Sequence, residues 1–216
     1  MSKLTWDAAV DRRYETGIDH VVLYPQSSTG TYPTGVAWNG VTAMNENPSG
    51  AEPTDLYADN IKYLSIRSAE QYGFTIEAYT YPDEFEECDG SASLAEGVTV
   101  GQQTRKPFGV SYRTIVGNDP EDNDYGYKLH LVYNSTCSPS ARNYASVNDS
   151  PEAITFSWEC NSTPVAVKDH KPCCTITIDS TKADATKLAQ LEALLYGGDN
   201  AEAQLPLPDA VIDIFK

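Results

Sequence analysis

The chain has 216 residues, 15 of them basic and 31 acidic, which leaves a net charge of −16. A hydrophobic content of 40% excludes global disorder, and the length suffices for one large domain or two small ones with a sizeable core. The acid excess argues against a nucleic-acid binder, because phosphate contacts need clustered Lys and Arg.

The N-terminus, Met1-Ser2-Lys3-Leu4-Thr5-Trp6-Asp7, lacks the apolar run of a signal peptide, and no stretch is long and apolar enough to span a membrane. Five cysteines, an odd number without an export signal, predict reduced thiols made in a cytoplasm. Residues 1–15 carry charges and few apolar side chains, and predict an arm or a short helix. Ile18–Tyr24 is a strand candidate ended by Pro25, and Gln26–Thr34, rich in Ser, Thr and Gly, predicts a turn.

A β-type run from Gly35 to Thr42 precedes a long loop over 43–60 without helical period. Its centre is the connector Asn45-Glu46-Asn47-Pro48-Ser49-Gly50-Ala51-Glu52-Pro53-Thr54-Asp55. Such a loop in a compact domain is usually functional or disordered. β-type residues return in Leu56–Arg67 and in Tyr72–Tyr81, where Phe74, Ile76 and Ala78 alternate with Thr75, Glu77 and Tyr79. After Pro82, Asp83–Asp89 predicts a short helix with acids in its first turn.

Val110–Val116 and Lys128–Tyr133 follow as strands separated by an acidic turn. Ile154–Cys160 alternates again, burying Ile154, Phe156, Trp158 and Cys160, and Thr175–Asp179 is the last strong strand. One prominent helix is expected over 181–196. Ser180 or Thr181 caps it, Leu188, Leu191, Leu194 and Leu195 form its apolar stripe, and Gly197-Gly198 stops it. The tail over 205–216 is too apolar to be loose. The whole predicts one domain, mainly β, an antiparallel sandwich or barrel with a flanking helix.

Chemistry-bearing motifs are sparse. His20 and His130 lie in strands, and His170 lies in a turn with Lys168 and Lys171. The nearest thing to a zinc site is His170-Lys171-Pro172-Cys173-Cys174 with Cys160 or Cys137, but adjacent cysteines on a strand point to opposite faces. Asp119-Pro120-Glu121-Asp122-Asn123-Asp124 clusters oxygen ligands without the calcium-loop pattern. No nucleophile elbow, phosphate loop or dinucleotide fingerprint occurs. The expectation is a non-enzyme with no catalytic residue, metal ligand or cofactor. Fourteen tyrosines suit both subunit interfaces and ordinary β-sheet.

Several strings in order along the chain carry a resemblance: Ala37-Trp38-Asn39-Gly40, Asn47-Pro48-Ser49-Gly50-Ala51-Glu52-Pro53-Thr54-Asp55-Leu56-Tyr57-Ala58-Asp59-Asn60, Tyr81-Pro82-Asp83-Glu84-Phe85, Lys106-Pro107-Phe108-Gly109, Gly126-Tyr127-Lys128-Leu129-His130-Leu131 and Leu205-Pro206-Leu207-Pro208-Asp209. From Asp11 onward the chain resembles the major tail tube protein of long, non-contractile-tailed bacteriophages of Gram-positive hosts. The resemblance implies a β-sandwich flanked by a helix, hexameric rings stacked into a hollow tube, and passage of genomic DNA without specific binding. It also implies a virion location, assembly in the host cytoplasm, and tape-measure, tail-terminator and baseplate or tip proteins as partners.

In that setting the connector Asn45–Asp55 is expected to contact a neighbour or the next ring. Glu77 and Glu159, on the polar faces of their strands, are expected to face the lumen and repel phosphate. Lys62, Arg67, Arg105 and Lys106 are expected opposite acids at interfaces. The alternatives are a monomeric carbohydrate-binding or adhesion sandwich with Trp38, Tyr79 and Tyr81 on an open face, or another ring-forming tail component such as a terminator or connector.

Overall fold

The computed structural model describes residues 4, 6–147, 149, 153–199 and 201–216. In chain order it contains β1 (Arg13–Pro25), β2 (Val36–Ala37), β3 (Val41–Glu46), β4 (Ser49–Gly50), β5 (Pro53–Ala58), β6 (Ile61–Arg67), β7 (Glu70–Ala78), the one-turn α1 (Glu86–Asp89), β8 (Ala92–Ala95), β9 (Val98–Val100), β10 (Phe108–Asn118), β11 (Asp122–Cys137), β12 (Phe156–Ser162), β13 (Thr175–Asp179), α2 (Ala185–Tyr196) and α3 (Pro208–Phe215). The fold is mainly β, one large antiparallel sheet with three helices, as a β-sandwich requires.

The main sheet runs β2-β1-β10-β11-β12-β7-β3, with β13 on a second stretch of β11 and β4 on β7. Sixteen residues long, β11 has room to pair with β13 through Lys128–Val132 and with β12 through Ser135–Cys137. The sheet curls so that β3 comes back against β1.

Inside the curl lies one core: Val21, Leu23, Trp38, Phe74, Ile76, Val110, Tyr112, Val132 and Trp158 around Phe85. The Phe85 ring sits 4.5 Å from that of Trp38 and 5.1 Å from that of Trp158, and the indole N–H of Trp38 donates to the Thr80 carbonyl at 2.9 Å. A second core fills the other face of β1, β10, β11 and β13. There Leu129, Leu131, Tyr133 and Ile178 meet Leu188, Leu191 and Leu195 of α2 and Val211 of α3.

Strands form where alternation predicts them, Thr175–Asp179 with the expected bounds; Val110–Val116 and Lys128–Tyr133 lie inside the longer β10 and β11, and the strand expected over Tyr72–Tyr81 ends at Ala78. Other expectations need correction. The 43–60 segment is no structureless loop, because β3, β4 and β5 cross it. Pro53 opens β5, a position where the missing N–H costs no ladder bond. Asp59 and Asn60, with φ of 51° and 62°, fold Leu56–Arg67 back on itself as a tight β5–β6 hairpin.

The main helix starts at Ala185 and not at 181. Asp184 caps it, its carboxylate accepting from the N–H groups of Thr186 and Lys187 at 3.0 Å each. Thr181 instead turns back onto the Asp179 carboxylate. Leu188, Leu191 and Leu195 are buried and Leu194 half-buried, and Gly197 ends the helix at a positive φ of 73° with ψ −170°, a conformation that suits glycine but is not the expected left-handed helical cap. The tail forms a further helix, α3, started by Pro208 at its first position.

At the N-terminus, residues 1–3 and 5 lie outside the described residues. Ala9–Asp11 form a 3₁₀ turn, and Arg13–Glu15 already belong to β1. Ile154 precedes β12 and stays exposed, so that strand buries Trp158 and Cys160, with Phe156 half-buried.

The expectation of five reduced thiols also fails. Cys137 and Cys160 face each other across the β11–β12 pairing and form a disulfide, leaving Cys88, Cys173 and Cys174 free. This seam has only three paired residues on each strand, so the cross-link reinforces a short ladder. Closing 23 residues of chain constrains the unfolded state by about 3 kcal/mol. Reductant is therefore expected to lower the urea midpoint of the native protein and to leave that of a Cys137→Ala/Cys160→Ala variant unmoved. Equal sensitivity of both proteins would exclude the bond.

Candidate functional site

Three features of the surface stand apart from the packed body. The first is the β5–β6 hairpin, a two-stranded sheet joined to no other strand. Register places Thr54, Leu56 and Ala58 opposite Ile66, Leu64 and Ile61 on one face. On the other face Asp55 and Lys62 form an ion pair at 2.7 Å, beside Ser65 and Arg67. The apolar face is uncovered, with Leu56 43%, Ile61 64%, Leu64 39% and Ile66 55% exposed. An isolated two-stranded hairpin is marginal in water, and contiguous exposed aliphatics of this kind mark contact surfaces.

The second feature is a pair of open sheet edges. β13 pairs with β11 alone, and β1 pairs with β2 only at Val22 and Leu23, so its Arg13–Asp19 stretch is unpaired on that side among the described residues. The four strands β1, β10, β11 and β13 alternate in direction. A second copy whose β1 met this β13 would continue the antiparallel order. The open stretches are also offset along the strands, since Thr175–Ile178 lies level with Asp19–Leu23. Closed barrels carry such a stagger.

The third is a charged group under the C-terminal half of α2. Arg113 donates to both Asp19 carboxylate oxygens at 2.9 and 3.3 Å, lies over the Tyr127 ring at 4.6 Å, and approaches Glu192 at 3.9 Å. Tyr127 donates to Glu192 at 2.7 Å, and burial together with that carboxylate pushes its hydroxyl up to about 12. Burial acts to raise the Asp19 pKa, but the guanidinium outweighs it and holds the carboxyl below the usual range. The stability it contributes is fully present above the unfolded carboxylate value of about 3.9 and is lost as pH falls through the native one. An Asp19→Asn variant is expected to lose less stability than the native protein between pH 4 and pH 2, measured by urea unfolding at each pH. Parallel profiles would remove this pair from the acid response.

The structure separates the predicted site residues. Asn45 and Glu46 end β3, Ser49–Gly50 form β4, and Pro53–Asp55 begin the hairpin, so the connector is its stem. Asn47, Pro48, Ala51 and Glu52 are exposed between these strands, and the Glu46 carboxylate accepts from Tyr112 at 2.6 Å. Glu77 and Glu159 lie on β7 and β12, opposite in facing to Ile76 and Trp158 of the core.

Of the four basic residues expected opposite acids, Lys62 and Lys106 pair within the chain, with Asp55 and with Glu87 at 2.9 Å. Trp38, Tyr79 and Tyr81 do not form an open aromatic face, because Trp38 is a core residue at 3% exposure. His130 bridges two strands, its ring nitrogens 3.0 and 3.4 Å from the hydroxyls of Thr114 and Thr177. Among the described residues no three His, Cys, Asp or Glu side chains converge, and no helix is long and apolar enough to cross a membrane.

The sequence signal missed is the Asp59-Asn60 pair. Flanked by apolar residues on both sides, it is a two-residue hairpin turn that identifies the projecting element. No protein-family model matches the chain, and no curated protein matches it.

Proposed function

We propose that the chain is a self-assembling structural subunit that forms rings stacked into a hollow tail tube of the kind its sequence resembles, a conduit for DNA in a long-tailed bacteriophage. The observation that carries this reading is the four-stranded unit β1-β10-β11-β13, even in strand number and, among the described residues, unpaired on the outer side of β13 and of the Arg13–Asp19 stretch of β1, so that successive copies extend it antiparallel. Unlike edges meeting head to tail generate a closed ring when the rotation closes, and joining them removes the exposed edges that would otherwise invite aggregation. The hairpin supplies a second, axial contact. Its apolar face finds cover on a neighbouring subunit, with the connector Asn45–Asp55 as the stem that reaches there. Rings from one contact and a filament from the other define a tube.

Negative-stain electron microscopy of the purified protein, with light scattering as it is concentrated, tests the proposal. Long hollow tubes with a regular axial repeat support it. Rings without tubes would move the reading to a terminator or connector. A protein that stays monomeric at high concentration would overturn it, and glycan binding by that monomer would favour an adhesion module.

A further inference from the structure

The two open edges present their backbone groups in a fixed alternation. Odd-numbered residues of β11 turn to β13, since Tyr133 N–H donates to the Cys174 carbonyl and Ser180 N–H donates to the Tyr127 carbonyl. Its even-numbered residues turn to β10, and the even-numbered residues opposite them on β10 turn back to β11. Ile115 and Gly117 of β10 therefore turn to Thr16 and Tyr14 of β1. That leaves Arg13 and Glu15 with N–H and C=O groups off the outer edge of β1, as Thr175, Thr177 and Asp179 have theirs off β13.

The straight part of the β1 edge is short. Its register with β10 holds from Arg13 to Thr16 and then shifts twice, at bulges that contain Gly17 at φ 64° and His20 at φ 49°. Along this stretch Glu15 is held by Lys128, and the preceding Arg12 by Asp119 at 3.1 Å. Exposed Arg13 stands in no ion pair among the described residues and lies over the Tyr125 ring at 5.0 Å. On the other edge Asp179 closes β13, its carboxylate accepting from Thr181 and pairing with the exposed Lys182 side chain at 3.0 Å. Within one copy, Arg13 and Asp179 lie three strands apart.

We infer, on the tube reading above, that Arg13–Thr16 of one copy pairs antiparallel with Ile176–Asp179 of the next, with Arg13 directly opposite Asp179 in an ion pair between subunits. Outward-turned residues must oppose outward-turned ones, so the strands can shift only by two residues at a time. A shift one way places Glu15 opposite Asp179, and like charges directly opposite are destabilising. A shift the other way places Arg13 opposite Thr177 and carries Thr16 past the end of β13 at Thr175. Arg13 opposite Asp179 engages all four edge residues and brings unlike charges together. It also sets Tyr14 beside Ile178, an aromatic next to a β-branched residue.

The stagger that results suits a closed sheet. Val22 lies level with Ser111, Leu131 and Ile176. With Ile176 opposite Thr16 of the next copy, successive copies are offset by the stretch from Thr16 to Val22, about four residues once the two bulged ones are left out. Such an offset over four strands, at about 3.3 Å per residue and about 4.8 Å per strand, tilts the strands by about 35°. That is a tilt at which barrels close.

Two measurements on assembled protein test it. The first compares Glu15→Cys/Thr177→Cys, Arg13→Cys/Thr177→Cys and Glu15→Cys/Asp179→Cys after mild oxidation with oxidised glutathione. The native chain, with its three free cysteines, gives the background. Directly opposed residues have Cα atoms about 5.5 Å apart, within disulfide reach, and residues displaced by two do not. Covalent multimers on a non-reducing gel are expected from Glu15→Cys/Thr177→Cys, at least tenfold above the other two. Multimers strongest in either other pair, or assembly without multimers in any, overturn the register and leave the tube reading standing. A native protein that forms neither rings nor tubes overturns both. The second measures the concentration at which assembly begins. Arg13→Glu is expected to raise it about three- to tenfold at low salt and Arg13→Lys to leave it within about twofold, the difference closing in high salt. An Arg13→Glu protein that assembles like the native one, or whose defect ignores salt, overturns the ion pair.

Discussion

Making the apolar face of the β5–β6 hairpin polar is expected to suppress the proposed tube assembly while the monomer keeps its fold. In the double variant Leu56→Lys/Ile66→Glu, two exposed aliphatics that face opposite Leu64 and Thr54 lose their apolar character. Fully burying each against a neighbour contributes about 1.5–3 kcal/mol, and every 1.4 kcal/mol is a factor of about ten in association. The concentration at which tubes appear should therefore rise by about 100-fold or more. The thermal midpoint of the monomer should move by no more than about 2 °C, because neither residue belongs to a core. Sedimentation and electron microscopy across a concentration series, beside a circular-dichroism melt, give the answer. Normal tubes at the native concentration would remove the hairpin from assembly.

Blocking one sheet edge should stop ring formation with little effect on the subunit. The Cys174 carbonyl accepts from Tyr133 N–H, and the Ser180 N–H donates to the Tyr127 carbonyl. Even-numbered residues of β13 thus turn their backbone groups to β11, and odd-numbered ones turn them outward. Thr177→Pro removes an outward N–H that the proposed lateral contact needs and leaves the β11 ladder whole. Ile176→Pro removes an inward one and is expected to destabilise the subunit by about 3 kcal/mol or more. The contrast is the test. Thr177→Pro should give a folded protein with a native-like melt that stays monomeric at concentrations where the native chain is expected to form rings. Rings from Thr177→Pro would show that this edge is not the lateral contact.

Both predictions turn on where an element ends and what is left uncovered, and the sequence spoke unequally to these. The alternation of Thr175–Asp179 and Phe74–Ala78 reports a half-buried strand because the facing of successive side chains is a local property. The Leu188, Leu191 and Leu195 stripe reports its helix for the same reason. The helix start was legible less well. Ser180, Thr181 and Asp184 are all competent caps, and the choice fell to Asp184 because Asp179 occupies Thr181.

The disulfide was illegible. Cys137 and Cys160 are opposed only because β11 and β12 pair in one register, a non-local pairing that no local pattern in the chain specifies. Trp38 shows the converse limit. Its residue type suits an open binding face as well as a core, and the Phe85 and Trp158 rings beside it decided the matter.

By itself, the sequence determined the class of the protein: a mainly β, strongly acidic chain with a leucine-striped helix near its end. Those properties follow from composition and from periods read over a few residues. Only the tertiary structure decided that four strands distant in sequence share one sheet, with β13 and the Arg13–Asp19 stretch of β1 unpaired on their outer sides among the described residues, and that the hairpin stands clear with its apolar face exposed. Strand partnership is set by non-local packing, as when Glu15 of β1 comes to face Val116 of β10 and to hold Lys128 of β11, and no local pattern in the chain encodes which surfaces that packing leaves bare.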